Sequence, residues 1–310
     1  MKTPSNHSPR GFSLIELLVA MAITTIIVTV LVSVTAMALD TWNRSRAEIR
    51  AARQAKSMID TMARDFESFV SRKGNTFEWL YAKSVPPDKG PNGSLSPNAI
   101  DLVFFSAATD RYNGKIGTAT DLGGDVSTVG YKLTYKDPIA AEDKDEYKTF
   151  VLYRKLVDPK ETFNKVLGNP NPAQPNFSLK MAFDGSGDPI EENTNFICEN
   201  VYQFTVTFHV ATTVNSGLKS VAVCIGKGFN LVEEFRITGS GIQTTFASAT
   251  VTNEQIKAGR LSAAEISITV LSDFGMQQMR RRSDLTGTKL AEFIAKHSYQ
   301  YSKVVQLPGS

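Results

Sequence analysis

The sequence predicts an α+β fold in which one long N-terminal helix packs against an antiparallel β-sheet. No glycine or proline lies between Phe12 and Lys73, so a single helix of about 60 residues, about 90 Å long, is the simplest interpretation. The chain after that helix is rich in valine, isoleucine, threonine, tyrosine and phenylalanine, in short runs separated by turn residues. A helical segment followed by a block of strands is typical of α+β domains.

The first half of the predicted helix is apolar on all sides. No side chain from Leu17 to Leu39 is charged, and this stretch of about 23 residues would span about 35 Å, enough to cross a bilayer core of ~30 Å. Glu16 lies at the start of this run. An acidic side chain inside a membrane costs on the order of 2.5–3.5 kcal/mol unless it has a partner. The carboxylate therefore indicates more than a plain anchor.

The second half of the predicted helix is amphipathic. Apolar side chains recur at spacings of three, four and seven, and charged residues fill the other faces. This pattern predicts a helix that packs under a sheet and ends at Gly74. The apolar positions are Trp42, Ile49, Ala52, Ile59, Met62, Phe66, Phe69 and Val70.

Six later runs have strand composition, and one has a clear alternation of apolar and polar residues from Gln203 to Phe208. The predicted strands are Ala99–Ser106, Thr128–Lys136, Thr149–Val157, Phe196–Ala211, Lys219–Ile225 and Ala264–Ser272. Leu290, Phe293 and Ile294 predict a short C-terminal helix that docks on this body. Arg280-Arg281-Arg282 is interpreted as a solvated end after a strand, or as a contact for anionic lipid or a partner.

A cut between Gly11 and Phe12 would give Glu16 a partner. It would leave an ammonium on Phe12, four residues before the carboxylate. Two opposite charges ~4 Å apart in a partly dry setting attract by about 4 kcal/mol. If the amine belongs to a neighbouring subunit, the same pair sets the axial register of a helical stack.

The segment Gly11-Phe12-Ser13-Leu14-Ile15-Glu16 resembles the processing site of type IV prepilins and type II secretion pseudopilins. The resemblance implies a pilin-like lollipop with its long helix half in the membrane. It implies that prepilin peptidase cuts after Gly11 and N-methylates Phe12, and that Glu16 guides assembly. The implied partners are other pilin or pseudopilin subunits, membrane lipid before assembly, and an inner-membrane platform with a separate ATPase.

The motif divides the chain into a leader (1–11), a transmembrane or filament-core helix (12–39), its amphipathic continuation (40–73) and an extracytoplasmic β-rich domain (74–310). Charge counting alone favours a cytoplasmic body, because two cations precede the span and five closely follow it. The resemblance implies the reverse orientation, and we follow it. We expect a single pass through the inner membrane, a periplasmic body, and then a filament or pseudopilus.

The order of segments in the body is most similar to that of J-type minor pseudopilins, and also to pilin-like cassette proteins of Verrucomicrobia-type bacteria. The similarity lies in the helix end from Arg53 to Arg72 and in four strand segments. These segments are Leu102–Ser106, Val129–Leu133, Val151–Arg154 and Cys198–Val201. The chain departs from the J-type pattern through insertions near 137–147, 158–177 and 226–260.

Two cysteines, Cys198 and Cys224, leave two alternatives open. A disulfide is plausible if the body lies outside the cytoplasm, and two buried thiols are the other interpretation. Cys198 opens one strand-like run and Cys224 ends another, so a bridge across neighbouring strands is conceivable.

The sequence contains no recognisable catalytic, cofactor or metal site. The histidines His7, His209 and His297 are dispersed, and no phosphate-binding loop is present. The Asp184–Asp188 turn is similar to a calcium loop but lacks its sixth-position glycine and twelfth-position glutamate, so we interpret it as a solvated turn. Glu142–Glu146 is likewise interpreted as a solvated loop. We therefore expect no enzyme, no cofactor and no bound metal.

The sequence thus predicts a minor pilin-like or pseudopilin-like subunit whose work is assembly. The net charge is +3, and removal of Lys2 and Arg10 with the leader leaves +1, which does not favour nucleic-acid binding. The alternative is a membrane-anchored or secreted monomeric binding domain that uses the apolar run only for targeting. Ala36-Met37-Ala38 matches an ordinary signal peptidase site, although the preceding apolar run is longer than the ~7–15 residues usual for a signal peptide.

Overall fold

The structure is a computed structural model. The chain divides into two compact units, residues 1–49 and Arg50–Ser310, and we call the second unit the body. The residues that the structure describes are 13–75, 77–85, 90–93, 96, 98–107, 125–138, 147–159, 162, 190–214, 217–227, 231–244, 246 and 251–308.

The N-terminal helix α1 runs from Leu14 to Glu67, so the long helix that the sequence predicted is confirmed, but its predicted end was wrong. The helix stops six residues before residue 73, without a glycine or proline. The Ser68 hydroxyl donates to the carbonyl of Arg64 at 2.9 Å, within the last turn of α1. The next residues join a strand instead of continuing the helix, because the Val70 N–H donates to the Phe105 carbonyl at 3.0 Å. This tertiary pairing has no signal in the local sequence.

The body contains two antiparallel sheets rather than the single sheet that the sequence predicted. The larger sheet has seven strands in the order β5-β4-β3-β2-β1-β8-β9. They are β1 (Glu78–Ser84), β2 (Ile100–Ser106), β3 (Ser127–Lys136), β4 (Thr149–Val157), β5 (Phe196–Glu199), β8 (Glu234–Thr238) and β9 (Gly241–Thr244). The smaller sheet has the order β11-β10-β6-β7. Its strands are β6 (Val201–Val214), β7 (Gly217–Cys224), β10 (Arg260–Leu271) and β11 (Ser298–Gln306). The α+β class with antiparallel strands is therefore confirmed.

The predicted strand Phe196–Ala211 is in fact two strands that belong to different sheets. Asn200 separates β5 from β6 and has a φ of 60°, a left-handed conformation that asparagine tolerates better than most residues. Its side chain is fixed on both sides: it accepts a hydrogen bond from the Thr149 hydroxyl at 2.6 Å and donates one to Asp273 at 3.0 Å. The chain therefore changes sheets at a single residue.

The hydrophobic core lies where the second half of α1 meets both sheets. The Phe66 ring stacks on Phe104 of β2 with centroids 4.6 Å apart, and its edge meets Phe208 of β6 at 6.4 Å. Phe208 in turn stacks on Phe235 of β8 at 4.5 Å. These aromatic pairs join the helix and the two sheets in one continuous core.

Three short α-helices complete the described part of the body, together with two 3₁₀ helices at Pro91–Gly93 and Asn193–Asn195. The α-helices are α2 (Asn253–Ala258), α3 (Asp273–Arg281) and α4 (Gly287–His297). The C-terminal helix predicted from Leu290, Phe293 and Ile294 is α4, and these side chains belong to the core or pack against it. Arg280 and Arg281 form the last turn of α3 and do not directly follow a strand, whereas Arg281 and Arg282 are exposed as that interpretation expected. The segment 226–260, expected to be an insertion, holds β8, β9 and α2.

Candidate assembly site at the start of the N-terminal helix

The first described residues form a reciprocal cap on α1. The Ser13 N–H donates to Glu16 Oε2 at 2.9 Å, and the Glu16 N–H donates to Ser13 Oγ at 3.2 Å. This is a capping box, in which a serine and a glutamate three residues later satisfy each other's backbone N–H groups. Gly11 and Phe12, the predicted cleavage and methylation residues, lie outside the described residues, as does the leader.

The cap occupies only one carboxylate oxygen of Glu16. Its Oε1 accepts no hydrogen bond from the residues that the structure describes. An ionised carboxylate has about four lone-pair positions on its two oxygens. Glu16 can therefore hold its own helix end and still accept a cationic group from another molecule.

The helix beyond Glu16 presents a continuous apolar surface that no described residue covers. Leu17 is 56% exposed, Ile26 is 64% exposed and Leu39 is 58% exposed. The most apolar stretch of α1 has no buried residue, and α1 is the one helix in the described chain that is long and apolar enough to cross a membrane. By length and composition, a lipid bilayer or neighbouring helices could cover this surface.

The threonine hydroxyls on this segment are satisfied within the helix. Each donates to the backbone carbonyl four residues earlier, at 2.8 or 2.9 Å. The five threonines are Thr24, Thr25, Thr29, Thr35 and Thr41. A hydroxyl without a partner would cost several kcal/mol in hydrocarbon, so this arrangement fits an apolar environment.

A buried group of three side chains, which we call the helix lock, fixes the second half of α1 to the larger sheet. Asp65 of α1 receives two hydrogen bonds from Arg154 of β4, from Nε at 2.7 Å and from Nη2 at 2.6 Å. The hydroxyl of Tyr131 on β3 also donates to Asp65. Asp65 is 3% exposed and Arg154 is 8% exposed, so this ion pair is largely shielded from water.

The pKa shifts of Tyr131 and Arg154 keep both side chains protonated, so both remain hydrogen-bond donors to Asp65. Burial, and then the charge of Asp65, raise the pKa of the Tyr131 hydroxyl well above its ordinary value, so it stays a donor. Burial alone would lower the pKa of Arg154, but its hydrogen bonds to Asp65 and Tyr131 and its charge interactions with them together outweigh that effect, and the pKa is raised. Arg154 therefore stays a protonated guanidinium that donates both of its hydrogen bonds to Asp65.

The two cysteines are free thiols and lie in different sheets. Cys198 is buried in β5 of the larger sheet, and Cys224 is half-buried at the end of β7 in the smaller sheet. Burial raises the pKa of the Cys198 thiol to about 12. Cys198 is therefore an unreactive thiol in the folded body.

The other sequence features do not come together into a site in the described chain. His209 lies beside Glu265, with Nε2 and Oε2 3.9 Å apart, and His297 packs against Phe293. His7, Asp184–Asp188 and Glu142–Glu146 lie outside the described residues. Among the described residues, no group of three or more His, Cys, Asp or Glu side chains could hold a metal ion.

Sequence reasoning missed Ser13 and the helix lock. The signal for Ser13 was available, because Ser-x-x-Glu before an apolar run is the pattern of a capping box. The helix lock had no such signal: Asp65 and Arg154 are 89 residues apart, and only the folded sheet brings them together.

Comparison with known proteins bears on the N-terminal segment. Residues 6–32 match the family model described as the prokaryotic N-terminal methylation motif. A search of curated proteins finds no match. Among solved structures, a type IV-like pilin from Thermus thermophilus matches with 10% identity and a TM-score of 0.29, over 84% of this chain and 97% of that chain. A TM-score this low does not establish a common fold.

The motif match includes Gly11, Phe12, Ser13 and Glu16. The match shows a methylation motif in the N-terminal segment of the chain, and the body lies outside the matched residues.

Proposed function

We propose that this chain, which carries the prokaryotic N-terminal methylation motif, is a minor subunit of a pilus-related filament or of a type II secretion pseudopilus. The observation that carries the proposal is the start of α1, where an apolar helix that no described residue covers begins with a capped Glu16, whose second carboxylate oxygen accepts no hydrogen bond from the described residues. The work of such a subunit is assembly rather than catalysis.

The proposed sequence of events begins at the inner membrane, with α1 spanning the bilayer once and the body in the periplasm. Prepilin peptidase cuts between Gly11 and Phe12 and methylates the new amine. The subunit then leaves lipid for a bundle of helices from other subunits, in contact with an assembly platform. The sequence contains no recognisable phosphate-binding loop, so a separate ATPase supplies the energy for assembly.

Glu16 is proposed to set the register of this transfer. Lipid contacts are exchanged for equally apolar helix contacts, so the hydrophobic effect gives no preference for one axial position over another. An ion pair between Glu16 Oε1 and the Phe12 amine of a neighbouring subunit does give such a preference, because it forms at one offset only. The Ser13 cap orients the carboxylate before that partner arrives.

Replacement of Gly11 by leucine tests the processing step. We expect Gly11→Leu to abolish cleavage, because the resemblance places the peptidase cut directly after this small residue. The measurement is the intact mass of the protein isolated from membranes of a host with prepilin peptidase.

The matched control is Ala36→Leu, which enlarges a residue of the competing signal peptidase site and should leave the mass of the processed chain unchanged apart from the substitution. Loss of cleavage in Ala36→Leu together with normal cleavage in Gly11→Leu would support the targeting-only interpretation instead.

A further inference from the structure

A cleft of about 530 Å³ lies between α4 and the outer face of the smaller sheet. Its wall is formed by small and aliphatic side chains of α4, including Leu290 and Ile294, and its floor carries Gln203, Thr269 and Gln300. Among the described residues, no Asp, Glu, Lys, Arg or His lines the cleft, although 21% of the residues in the chain are charged. The cleft therefore suits an uncharged ligand that has both a polar and an apolar side.

The floor is a single row across three strands. Gln203 of β6 is paired with Thr269 of β10, and Thr269 is paired with Gln300 of β11. Paired residues point to the same face of a sheet, and neighbouring strands lie ~4.8 Å apart. The two glutamines therefore lie on either side of the threonine, and their strands, β6 and β11, are about 10 Å apart.

Neighbouring hydroxyls engage the oxygen of one glutamine amide and the nitrogen of the other. The Thr269 hydroxyl donates to Gln203 Oε1 at 3.3 Å, and Gln300 Nε2 donates to Ser267 Oγ at 3.3 Å. No other side-chain hydrogen bond to either glutamine occurs among the residues that the structure describes. The Gln203 amide N–H groups and the Gln300 carbonyl oxygen consequently remain available as a donor and an acceptor on opposite sides of Thr269.

This arrangement matches a secondary amide that carries a methyl group. In a trans amide the C=O and N–H point in opposite directions, so a donor and an acceptor on either side can satisfy both. We propose that the cleft binds an N-acetylated amino sugar. Its acetamido oxygen accepts from Gln203, its N–H donates to Gln300, and its methyl group lies against Leu290 and Ile294.

A sugar fits this cleft better than a peptide strand does. Peptides that bind to sheets usually pair with an unpaired backbone edge, whereas this cleft lies over the face of β6, β10 and β11, of which only β11 is an edge strand. The floor instead offers the side-chain amides and hydroxyl of Gln203, Gln300 and Thr269. This binding site goes beyond the proposed assembly function and involves a different part of the chain.

The test uses the full chain in phospholipid nanodiscs, because maltoside detergents would themselves supply sugar. Saturation-transfer NMR is recorded with N,N′-diacetylchitobiose, with cellobiose, which lacks the acetamido groups, and with N-acetyl-alanine methylamide as a peptide-like amide. We expect diacetylchitobiose to bind more tightly than the peptide-like amide, which shares the acetamido group but lacks the sugar ring, and we expect cellobiose not to bind. The strongest saturation should fall on the acetyl methyl protons.

Substitutions in the floor then separate specific binding from contact with the surface. We expect Gln203→Leu and Gln300→Leu each to weaken the affinity for diacetylchitobiose at least tenfold. Gln306→Leu is the matched control, because this exposed glutamine lies on the same strand as Gln300 but outside the cleft. Gln300 is exposed, so its substitution leaves the core intact, and the emission of the buried Trp79 checks the fold.

Three results would overturn the proposal: equal binding of cellobiose, tighter binding of the peptide-like amide, or affinity for diacetylchitobiose that neither glutamine variant changes. The measurement does not require cleavage after Gly11 or filament formation. Failure of sugar binding therefore leaves the assembly function standing, and failure of assembly leaves the sugar site standing.

Discussion

Replacement of Asp65 by asparagine is expected to lower the free energy of unfolding of the body by about 3–5 kcal/mol. The substitution keeps the size of the side chain but removes the charge that faces the Arg154 guanidinium. Arg154 is 8% exposed and would be left as a buried cation without its counter-ion. Removing one partner of a buried pair costs more than the pair contributes, because the remaining charge cannot regain its hydration.

The measurement is urea unfolding of the full chain in a mild detergent, followed through the fluorescence of Trp79. This residue is 4% exposed and packs against Phe105 of the larger sheet. A Trp42→Phe background removes the second tryptophan. Asp60→Asn is the matched control, because Asp60 pairs with Lys303 at 2.8 Å while both side chains are more than 40% exposed.

Exposed pairs of this kind are usually worth less than about 1 kcal/mol, so Asp60→Asn should have a small effect on the unfolding free energy. Equal effects of the Asp60 and Asp65 substitutions would contradict the assignment of the helix lock as a buried pair. Replacing all three members of the helix lock by apolar residues, as Asp65→Leu, Tyr131→Phe and Arg154→Met, is expected to recover part of the lost stability, because no buried polar group is then left unpaired.

Replacement of Glu16 by alanine is expected to prevent incorporation of the subunit into filaments while cleavage after Gly11 continues. The substitution removes the carboxylate that fixes the axial register, and apolar helix contacts alone do not restore it. The measurement is the fraction of processed subunit that sediments with filaments sheared from cells. Normal incorporation of the alanine variant would remove the role assigned to Glu16.

Two companion variants separate the charge of Glu16 from its capping role. Glutamine at position 16 can still accept from the Ser13 N–H, so Glu16→Gln keeps the cap and loses the charge. Ser13→Ala removes the hydroxyl half of the cap and keeps the charge. We expect Glu16→Gln to fail in assembly like Glu16→Ala, and Ser13→Ala to assemble. The opposite pattern would mean that helix capping, not ion pairing, is what assembly requires.

The parts of the fold that were predicted correctly depend on local patterns. The long helix follows from unbroken helical residues, and strands such as β4 at Thr149–Val157 follow from β-branched and aromatic runs. The strands β1 and β11 were missed because charged and polar residues interrupt them, as Glu78 and Lys83 do in β1. The division into two sheets was also missed, since it depends on long-range pairings such as that of β6 with β10.

The candidate site shows the same difference between residues that a local pattern identifies and residues that only the fold brings together. Gly11, Phe12 and Glu16 lie within six residues of one another, so a sequence motif could identify them. The helix lock and the cleft between α4 and the smaller sheet combine residues from distant parts of the chain. Gln203, Thr269 and Gln300, for example, become neighbours only through the register of three strands.

The central claim is that the N-terminal segment is processed as a prepilin. The most direct test is the intact mass and N-terminal sequence of the protein from its native membranes. We expect a chain that begins with N-methylated Phe12 and retains α1 in full. A chain that begins at Leu39, after the Ala36-Met37-Ala38 site, would contradict it and identify the body as a secreted domain.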